Sequence, residues 1–212
     1  MTFYTIGHST RSIEEFITLL KNYGIEILVD VRAFPSSSKF PHFNKENLEA
    51  RLFQSDIDYH WFGKGLGGYR KKSEGLGERS PNKGWDAEGF RIYADYMLTD
   101  GFKSGIEELM ELAKQGITAY MCAEKFFWRC HRKLISDFLV SRGHKAWNIM
   151  EANHLRIHEL TKIAQLKDGV LTYPAKKTPF TPTLPFDEEL SHHKKKKKDE
   201  KNHPRRHPLS LS

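Results

Sequence analysis

The chain has 212 residues, of which 38% are hydrophobic and 12% aromatic, a composition typical of a soluble globular protein with one well-packed domain. No apolar run approaches the roughly 18 residues that a membrane-spanning helix needs, so we expect no membrane partner. The N-terminus lacks the basic region of a signal peptide, and two cysteines are too few for a disulfide framework. These features predict a reduced, cytoplasmic setting.

The net charge of +7 is unevenly distributed along the chain. Residues 175–212 contain 10 Lys or Arg against 5 Asp or Glu, whereas the rest of the chain contains 24 against 22. Six of the nine prolines lie at or beyond Pro174, together with a run of five lysines. We therefore predict a folded domain over residues 1–173 and a disordered tail over residues 174–212. Because the basic charge is concentrated in the tail, it is weak evidence for nucleic-acid binding by the domain.

The first part of the chain predicts a β-α-β unit. Residues 3–6 form a short β-branched and aromatic run, and Ser12 and Glu15 have the spacing of a capping box that opens a helix. Gly24 lies where a helix commonly ends, and residues 25–31 are almost all apolar, as in a central strand covered on both faces. We expect these two strands to be parallel, with a right-handed crossover.

The later elements continue the alternation of strands and helices. Residues 63–85 interrupt it, because they are rich in glycine and lysine without a clear period, as in a lid, a binding loop or a disordered segment. The pattern specifies a single three-layer α/β domain with a mainly parallel sheet. The other predicted elements are a helix capped by Asn44, a strand over 58–62, a helix over 86–98, a helix that a capping box of Ser104 and Glu107 opens and Gly116 ends, a strand over 117–121, a helix ending near Arg142, a strand over 144–150 and a helix over 151–166.

Polar residues follow four of the predicted strands. In a parallel sheet the carboxyl ends of the strands meet at one edge, and ligands bind there beside helix N-termini. Reactive residue types are densest after the fourth strand, where both cysteines lie. We predict a ligand site at this edge, formed by His8, Ser9, Asp30, Arg32, Gly67, Gly68, Arg70, Cys122, Glu124, Cys130, His131 and Arg132.

These strand-end motifs also resemble a known family. The resemblance covers about residues 2–150 and is to the domain-of-unknown-function 488 family. It implies a compact α/β domain and marks positions that matter, but it implies no reaction. The motifs are Thr5-Ile6-Gly7-His8-Ser9, Asp30-Val31-Arg32 followed by Pro35 and Ser37, Leu66-Gly67-Gly68, Gly89-Phe90-x-x-Tyr93-Ala94, and Cys122-x-Glu124 with Cys130-His131-Arg132.

The two cysteines have different prospects. Cys130 is predicted at a helix N-terminus beside Arg129 and Arg132, where the helix dipole and the cations favour a thiolate. It is therefore a candidate nucleophile or metal ligand, although a thiol that only packs the helix fits the same position. Cys122 ends a buried strand, where a small core residue is the ordinary interpretation.

Acid–base chemistry has four candidates. Glu124 and Asp30 are placed to act as general acid or base, and His8 and His131 could carry protons. The alternatives are structural: Glu124 in an ion pair with Arg132 or Arg32, Asp30 in a similar pair, and His8 bonded to a loop backbone.

Anion binding is predicted from the arginines. Arg32 and Arg132, together with Ser9 and the helix N-terminus, would hold a phosphate in a bidentate manner. Gly67 and Gly68 with the basic Arg70 suit close approach of a phosphate backbone or a stacked base, and equally an ordinary solvated turn.

Several residues near the fourth strand are of types that bind zinc. The seven residues between Cys122 and Cys130 do not match a zinc knuckle, and no second cysteine pair exists. We predict no metal and no cofactor.

The leading hypothesis is an enzyme, a hydrolase or a transferase, that acts on a phosphate-bearing substrate such as a nucleotide or nucleic acid. The first alternative is a non-catalytic nucleic-acid-binding module that uses residues 63–85 and the tail. The second is a regulatory thiol switch formed by Cys122 and Cys130. The sequence predicts no oligomeric state.

Overall fold

The structure, a computed structural model, describes residues 1–175 and contains a six-stranded main sheet. Its strands are β1 (Thr2–Gly7), β2 (Ile27–Asp30), β3 (Asp58–Trp61), β4 (Thr118–Cys122), β5 (Lys145–Glu151) and β6 (His154–Ile157). They lie in the order β3-β2-β4-β1-β5-β6, and every neighbouring pair is parallel except β5 with β6. The prediction of a mainly parallel α/β sheet is confirmed.

Helices cover both faces of this sheet, which gives the predicted three layers. Successive residues of β2 show why, since Leu28 packs into one apolar cluster and Val29 into the other. The cluster around Leu28 includes the first two helices, and the cluster around Val29 includes the last three. The helices are α1 (Ile13–Asn22), α2 (Lys45–Phe53), α3 (Gly63–Leu66), α4 (Glu88–Tyr96), α5 (Asp100–Leu112) and α6 (Arg132–Ser141).

The boundaries of α1 are those that the sequence indicates. The Ser12 side chain accepts from the backbone N–H of Glu15, and the Glu15 carboxylate accepts from the backbone N–H of Ser12, so the capping box is formed. Gly24 has a φ of 62°, the left-handed conformation that ends helices at low cost for glycine.

The predicted start of α5 was wrong. The helix begins at Asp100 and is capped by Thr99, whose side chain accepts from the backbone N–H of Phe102. Ser104 therefore lies inside the helix and does not cap its N-terminus. The physical reason is that the buried apolar stripe of this helix starts at Phe102, one turn before Ile106. The helix therefore extends to the nearest N-capping residue before Phe102, which is Thr99.

The predicted helix over residues 151–166 was also wrong. β6 pairs antiparallel with β5, and a small hairpin follows it, formed by β7 (Gln165–Lys167) and β8 (Val170–Thr172). Leu155 and Ile157 alternate with polar residues at a period of two, which is the strand pattern. Pairing with β6 supplies hydrogen-bond partners for the outer edge of β5.

Residues 63–85 are folded against the domain. They contain α3 and two 3₁₀ turns, Lys72–Glu74 and Gly77–Arg79. The buried carboxylate of Asp95 on α4 holds the segment, because it accepts from a backbone N–H, a serine hydroxyl and an asparagine amide in it: Leu76, Ser80 and Asn82. No helix in the described part of the chain is long and apolar enough to cross a membrane. The predicted tail lies outside the described residues except for its first two.

Candidate functional site

The carboxyl ends of β1, β2 and β4 meet at one edge of the sheet. Gly7 is the register partner of Cys122, and Asp30 is the register partner of Met121. Beyond the strands, the backbone N–H of His8 donates to the Cys122 carbonyl over 3.0 Å. The topology thus brings the predicted strand-end residues of β1, β2 and β4 together.

Two clefts open at this edge. The first, here termed the thiol cleft, has a volume of about 500 Å³ and contains both cysteines. Its aromatic walls come from the segment after β2, from the segment after α3 and from α4. The residues that define the thiol cleft are Cys122, Cys130, His131, Phe34, Tyr69 and Phe90.

Cys130 and His131 form a close pair inside the thiol cleft. The Cys130 Sγ lies 3.4 Å from Nδ1 of His131. The other ring nitrogen, Nε2, lies 3.0 Å from the Val31 carbonyl. A carbonyl only accepts, so Nε2 carries the proton and donates it, which fixes the ring and turns Nδ1 toward the sulfur. This is the arrangement of a thiol with an adjacent base.

Gly68 makes room for this pair. A Cβ at position 68 would lie 2.3 Å from Nδ1 of His131, and a Cβ at Gly67 would lie 2.2 Å from the Gly63 carbonyl oxygen. Both predicted glycines lie where a side chain would clash: Gly67 closes the turn after α3, and Gly68 lies against the imidazole and lines the thiol cleft.

The surroundings of the two thiols separate their pKa values. Burial alone would raise the pKa of Cys130, but a hydrogen bond from Cys122, the adjacent His131 and the Arg132 guanidinium outweigh burial and hold it well below the ordinary value. The hydrogen bond to Cys130, followed by burial, raises the pKa of Cys122 well above the ordinary value. We assign the thiolate to Cys130, because it is the cysteine that contacts His131.

Arg132, at the start of α6, is a buried cation without a carboxylate. The residue is 1% exposed, and none of the ion pairs among residues 1–175 includes it. Nη1 donates to the Thr5 hydroxyl over 3.0 Å, Nη2 donates to the backbone carbonyl of Glu124, and Nε has no partner among the described atoms. A buried charge is costly unless an opposite charge is near, and a Cys130 thiolate would supply one.

The predicted ion pair of Glu124 with Arg132 or Arg32 is not formed. The Glu124 carboxylate accepts from the backbone N–H of Phe126 over 2.9 Å, which bends the chain after β4. It forms no ion pair with any described residue and lies between the two clefts, so it stays a candidate general acid or base.

Asp30 and Arg32 form a closed structural pair. Nε of Arg32 donates to both oxygens of Asp30 over 2.9 and 3.0 Å, and the Tyr59 hydroxyl donates to the same carboxylate over 2.8 Å. The side chain of Asp30 is fully buried. With its oxygens occupied, Asp30 is not placed to take a proton from a substrate.

His8 completes this network as a neutral ring. It stacks on Phe43 with ring centroids 4.1 Å apart, and its Nδ1 donates to the Ser9 carbonyl over 2.9 Å. Burial, together with the nearby Arg32 cation, lowers the pKa of His8 to about 4. Nε2 therefore carries a lone pair at neutral pH and faces Nη1 of Arg32 over 3.5 Å.

The second cleft, here termed the hydroxyl cleft, has a volume of about 470 Å³ and lies on the other side of Glu124. It shares Arg32, Phe34, Ala123 and Glu124 with the thiol cleft. Six of its eight other lining residues are serine, threonine or lysine. The residues that define the hydroxyl cleft are His8, Ser9, Ser36, Ser37, Lys39 and Lys125.

Arg70 is not at either cleft. Its Nε donates to the Gly67 carbonyl and its Nη2 to the carbonyls of Lys64 and Gly65, each over 3.1 Å. The guanidinium also stacks on the Tyr96 ring at 3.5 Å. Arg70 thus caps the C-terminus of α3, and its predicted role in substrate binding stays a prediction.

Cys122, Cys130 and His131 could also hold a soft metal ion, since their donor atoms all lie within 4.8 Å of one another. The donor set has two sulfurs and one nitrogen, and the Arg132 cation lies beside it. That cation opposes a second positive charge at the same place.

Sequence reasoning missed three residues that build the site. Phe34 walls both clefts, Tyr59 binds Asp30 from the neighbouring strand, and Thr5 holds Arg132. Of these three, only Thr5 could have been identified from the sequence, because it is a polar residue in the middle of an apolar strand. The positions of Phe34 and Tyr59 depend on the tertiary fold.

Comparison with known proteins gives one match. A family model described as "Domain of unknown function DUF488" matches residues 12–139. The matched residues include α1, the segment around Asp30 and all residues from Cys122 to Arg132. The match begins after His8 and Ser9. Neither the curated proteins nor the solved structures contain a match to the chain.

Proposed function

The chain belongs to the family described as "Domain of unknown function DUF488", and from its site we propose that it is an enzyme that acts on a phosphate-bearing substrate through the thiolate of Cys130. The proposal rests on one observation above all, the 3.4 Å contact between Cys130 Sγ and a ring nitrogen of His131 whose orientation a backbone carbonyl fixes. A cysteine beside an oriented base is the arrangement that covalent catalysis requires.

The chemical step follows from this pair. In the ion-pair form the thiol proton resides on Nδ1 of His131. The Cys130 sulfur donates an electron pair to an electrophilic atom of the substrate, the bond from that atom to the leaving group breaks, and the leaving group takes the proton from His131. Water or a second acceptor then attacks the bound group and gives a proton to His131, and the bond from that group to the Cys130 sulfur breaks, which restores the thiolate and the protonated imidazole. The reaction class is thus hydrolysis or group transfer.

Electrostatics favour the nucleophile over a metal site at the same residues. Arg132 is buried, has no carboxylate partner within the described chain and lies beside both cysteines. Its charge stabilises one thiolate but repels a bound cation. The Cys122 thiol, whose sulfur lies within 4.8 Å of that of Cys130, further favours the negative charge on Cys130.

We propose that the phosphate of the substrate binds in the hydroxyl cleft. Arg32 already donates hydrogen bonds to both oxygens of Asp30. It therefore contributes to anion binding mainly through its positive charge. Lys39 forms no ion pair in residues 1–175, and the hydroxyls of Ser9 and Ser36 lie in the same lining. Ammonium and hydroxyl groups together are ordinary phosphate ligands. Lys125 adds charge, although it also pairs with Glu151 over 2.9 Å.

A protection experiment tests the proposal. Alkylation of Cys130 by iodoacetamide is followed by peptide mass spectrometry with increasing ribose 5-phosphate. We expect saturable protection, weakened at least threefold in Lys39→Ala and unchanged in the exposed α1 variant Lys21→Ala. Absence of protection, or equal protection in both variants, contradicts a phosphate site beside the thiol cleft.

A second measurement tests the covalent step. Wild-type protein, Cys130→Ser and Cys122→Ser are incubated with acetyl phosphate, whose acetyl carbon is an electrophile separate from its phosphate, and intact mass is recorded after acid quenching. We expect an adduct on the wild type and on Cys122→Ser but not on Cys130→Ser. An adduct that persists in Cys130→Ser would contradict the assignment of the nucleophile.

The nucleic-acid-binding module and the cytoplasmic location stay predictions. The module depended on residues 63–85, which the structure folds against α4, and on the tail, which lies outside the described residues. No contact in the structure favours that alternative over the enzyme.

A further inference from the structure

Two large aromatic side chains stand together at the mouth of the thiol cleft. Phe34 is 68% exposed and Tyr69 is 64% exposed, and their ring centroids lie 5.6 Å apart at an angle of 55°. They come from different segments, one after β2 and the other after α3. Both side chains line the thiol cleft.

A single exposed aromatic residue needs no explanation, and Phe53 on α2 is an example at 82% exposed. A pair differs, because two adjacent rings from separate segments leave a continuous apolar surface in water. Here that surface is continuous with a cleft that holds a thiolate and its base. A planar ring of a ligand would cover it.

Phe34 also connects the two clefts. It lines the thiol cleft and the hydroxyl cleft, and Lys39 and Ser36 follow it closely in the chain. A ligand that covers Phe34 with a planar ring can therefore place an attached phosphate among the hydroxyl and ammonium groups. Aliphatic phosphate esters would leave the aromatic pair exposed.

We infer that the Phe34–Tyr69 pair is a stacking site for the base of a nucleoside monophosphate, which makes a nucleotide the substrate class of this enzyme. The inference rests on the proposed function, since it assumes that the phosphate binds in the hydroxyl cleft. Stacking on aromatic side chains accepts any base, because every base has a π-face. The pair therefore selects nucleotides over sugar phosphates without selecting one base strongly.

Binding of adenosine 5′-monophosphate, cytidine 5′-monophosphate and ribose 5-phosphate to the full chain tests the inference by calorimetry. We expect both nucleotides to bind about tenfold more tightly than ribose 5-phosphate. Phe34→Ala and Tyr69→Ala should each remove most of that advantage, and Tyr69→Ala, at a position outside the hydroxyl cleft, should leave ribose 5-phosphate affinity unchanged. The control, Phe53→Ala, should change neither, since its ring is exposed on α2 away from both clefts.

The outcomes separate this inference from the proposed function. If ribose 5-phosphate binds and the nucleotides bind no more tightly, the stacking site is overturned while the phosphate site stands. If nucleotides bind more tightly but the Phe34→Ala and Tyr69→Ala variants retain the advantage, the base binds elsewhere and the inference fails. If none of the three compounds binds, both proposals fail.

Discussion

The backbone of Gly68 lies against the imidazole of His131 so closely that a Cβ at position 68 would fall 2.3 Å from Nδ1. On its opposite side, Nε2 of the same ring donates to the Val31 carbonyl. The imidazole is thus held between two backbone segments from different parts of the chain. In this orientation its Nδ1 lies 3.4 Å from the Cys130 sulfur.

This relationship makes Gly68→Ala a test of the Cys130–His131 pair. The added methyl group must displace the imidazole, since Cβ contacts below 3.0 Å are not tolerated. We expect alkylation of Cys130 by iodoacetamide at pH 6.5 to slow by about tenfold. Gly89→Ala is the matched control, because Gly89 also lines the thiol cleft and its Cβ would meet nothing within 4 Å. Equal rates in the two variants would argue against positioning by Gly68.

The Asp30–Arg32 pair is predicted to be structural. Asp30→Asn leaves the buried Arg32 charge uncompensated, so we expect the free energy of unfolding to fall by about 3–5 kcal/mol. The control is Glu14→Gln, which breaks the exposed ion pair of Glu14 with Arg51 and should cost under about 1 kcal/mol. Urea denaturation measures both. A cost for Asp30→Asn as small as that of the control would refute a closed structural pair.

Arg132 should depend on the hydroxyl of Thr5. Thr5→Val keeps the shape of the side chain but removes the acceptor of Nη1, on a guanidinium whose Nε already lacks a partner among the described atoms. We expect a loss of about 1–3 kcal/mol in the free energy of unfolding. Thr18→Val, at an exposed position on α1, should change it by less than about 0.5 kcal/mol. Similar effects for both variants would show that the Thr5 hydroxyl is dispensable.

His8 predicts a specific pH dependence of stability. Its pKa is about 4 in the folded protein and about 6.5 in the unfolded chain, so the unfolded chain binds more protons between these values. The stabilisation is complete above about pH 6.5 and decreases as the pH falls toward 4, by about 3 kcal/mol in total.

The variant His8→Asn isolates this contribution, because an amide can still donate to the Ser9 carbonyl but does not titrate in that range. The difference in unfolding free energy between the wild type and His8→Asn should shrink as the pH is lowered from 7 to 4. A difference that stays constant over this range would show that His8 does not titrate with a lowered pKa.

Local signals in the sequence were sufficient for most of the sheet and for α1. The capping box of Ser12 and Glu15 and the apolar run of β2 act within a few residues, so they appear in the sequence as they appear in the structure. The edge of the sheet at which the polar residues meet followed from the parallel topology alone.

Features that depend on tertiary pairing could not be predicted in this way. The residues after β5 form β6 because the outer edge of β5 requires partners, and the alternation of Leu155 and Ile157 with polar residues is too short to predict that pairing by itself. Likewise, which carboxylate meets which guanidinium depends on side-chain reach: Asp30 binds Arg32, whereas Arg132 finds the Glu124 carbonyl instead of its carboxylate. The aromatic pair of Phe34 and Tyr69 joins segments that are distant in sequence.

The pH dependence of Cys130 alkylation shows whether Cys130 is a thiolate at neutral pH. Peptide mass spectrometry follows iodoacetamide labelling of Cys130 and Cys122 separately in the native full-length protein from pH 5.5 to 9, with urea-unfolded protein as the control. Because Cys130 is held as a thiolate, its labelling rate should change less than about threefold between pH 6.5 and 8.5, whereas the unfolded control should rise about tenfold per pH unit up to about pH 8.5. A native Cys130 rate that rises in parallel with the unfolded control would contradict the account.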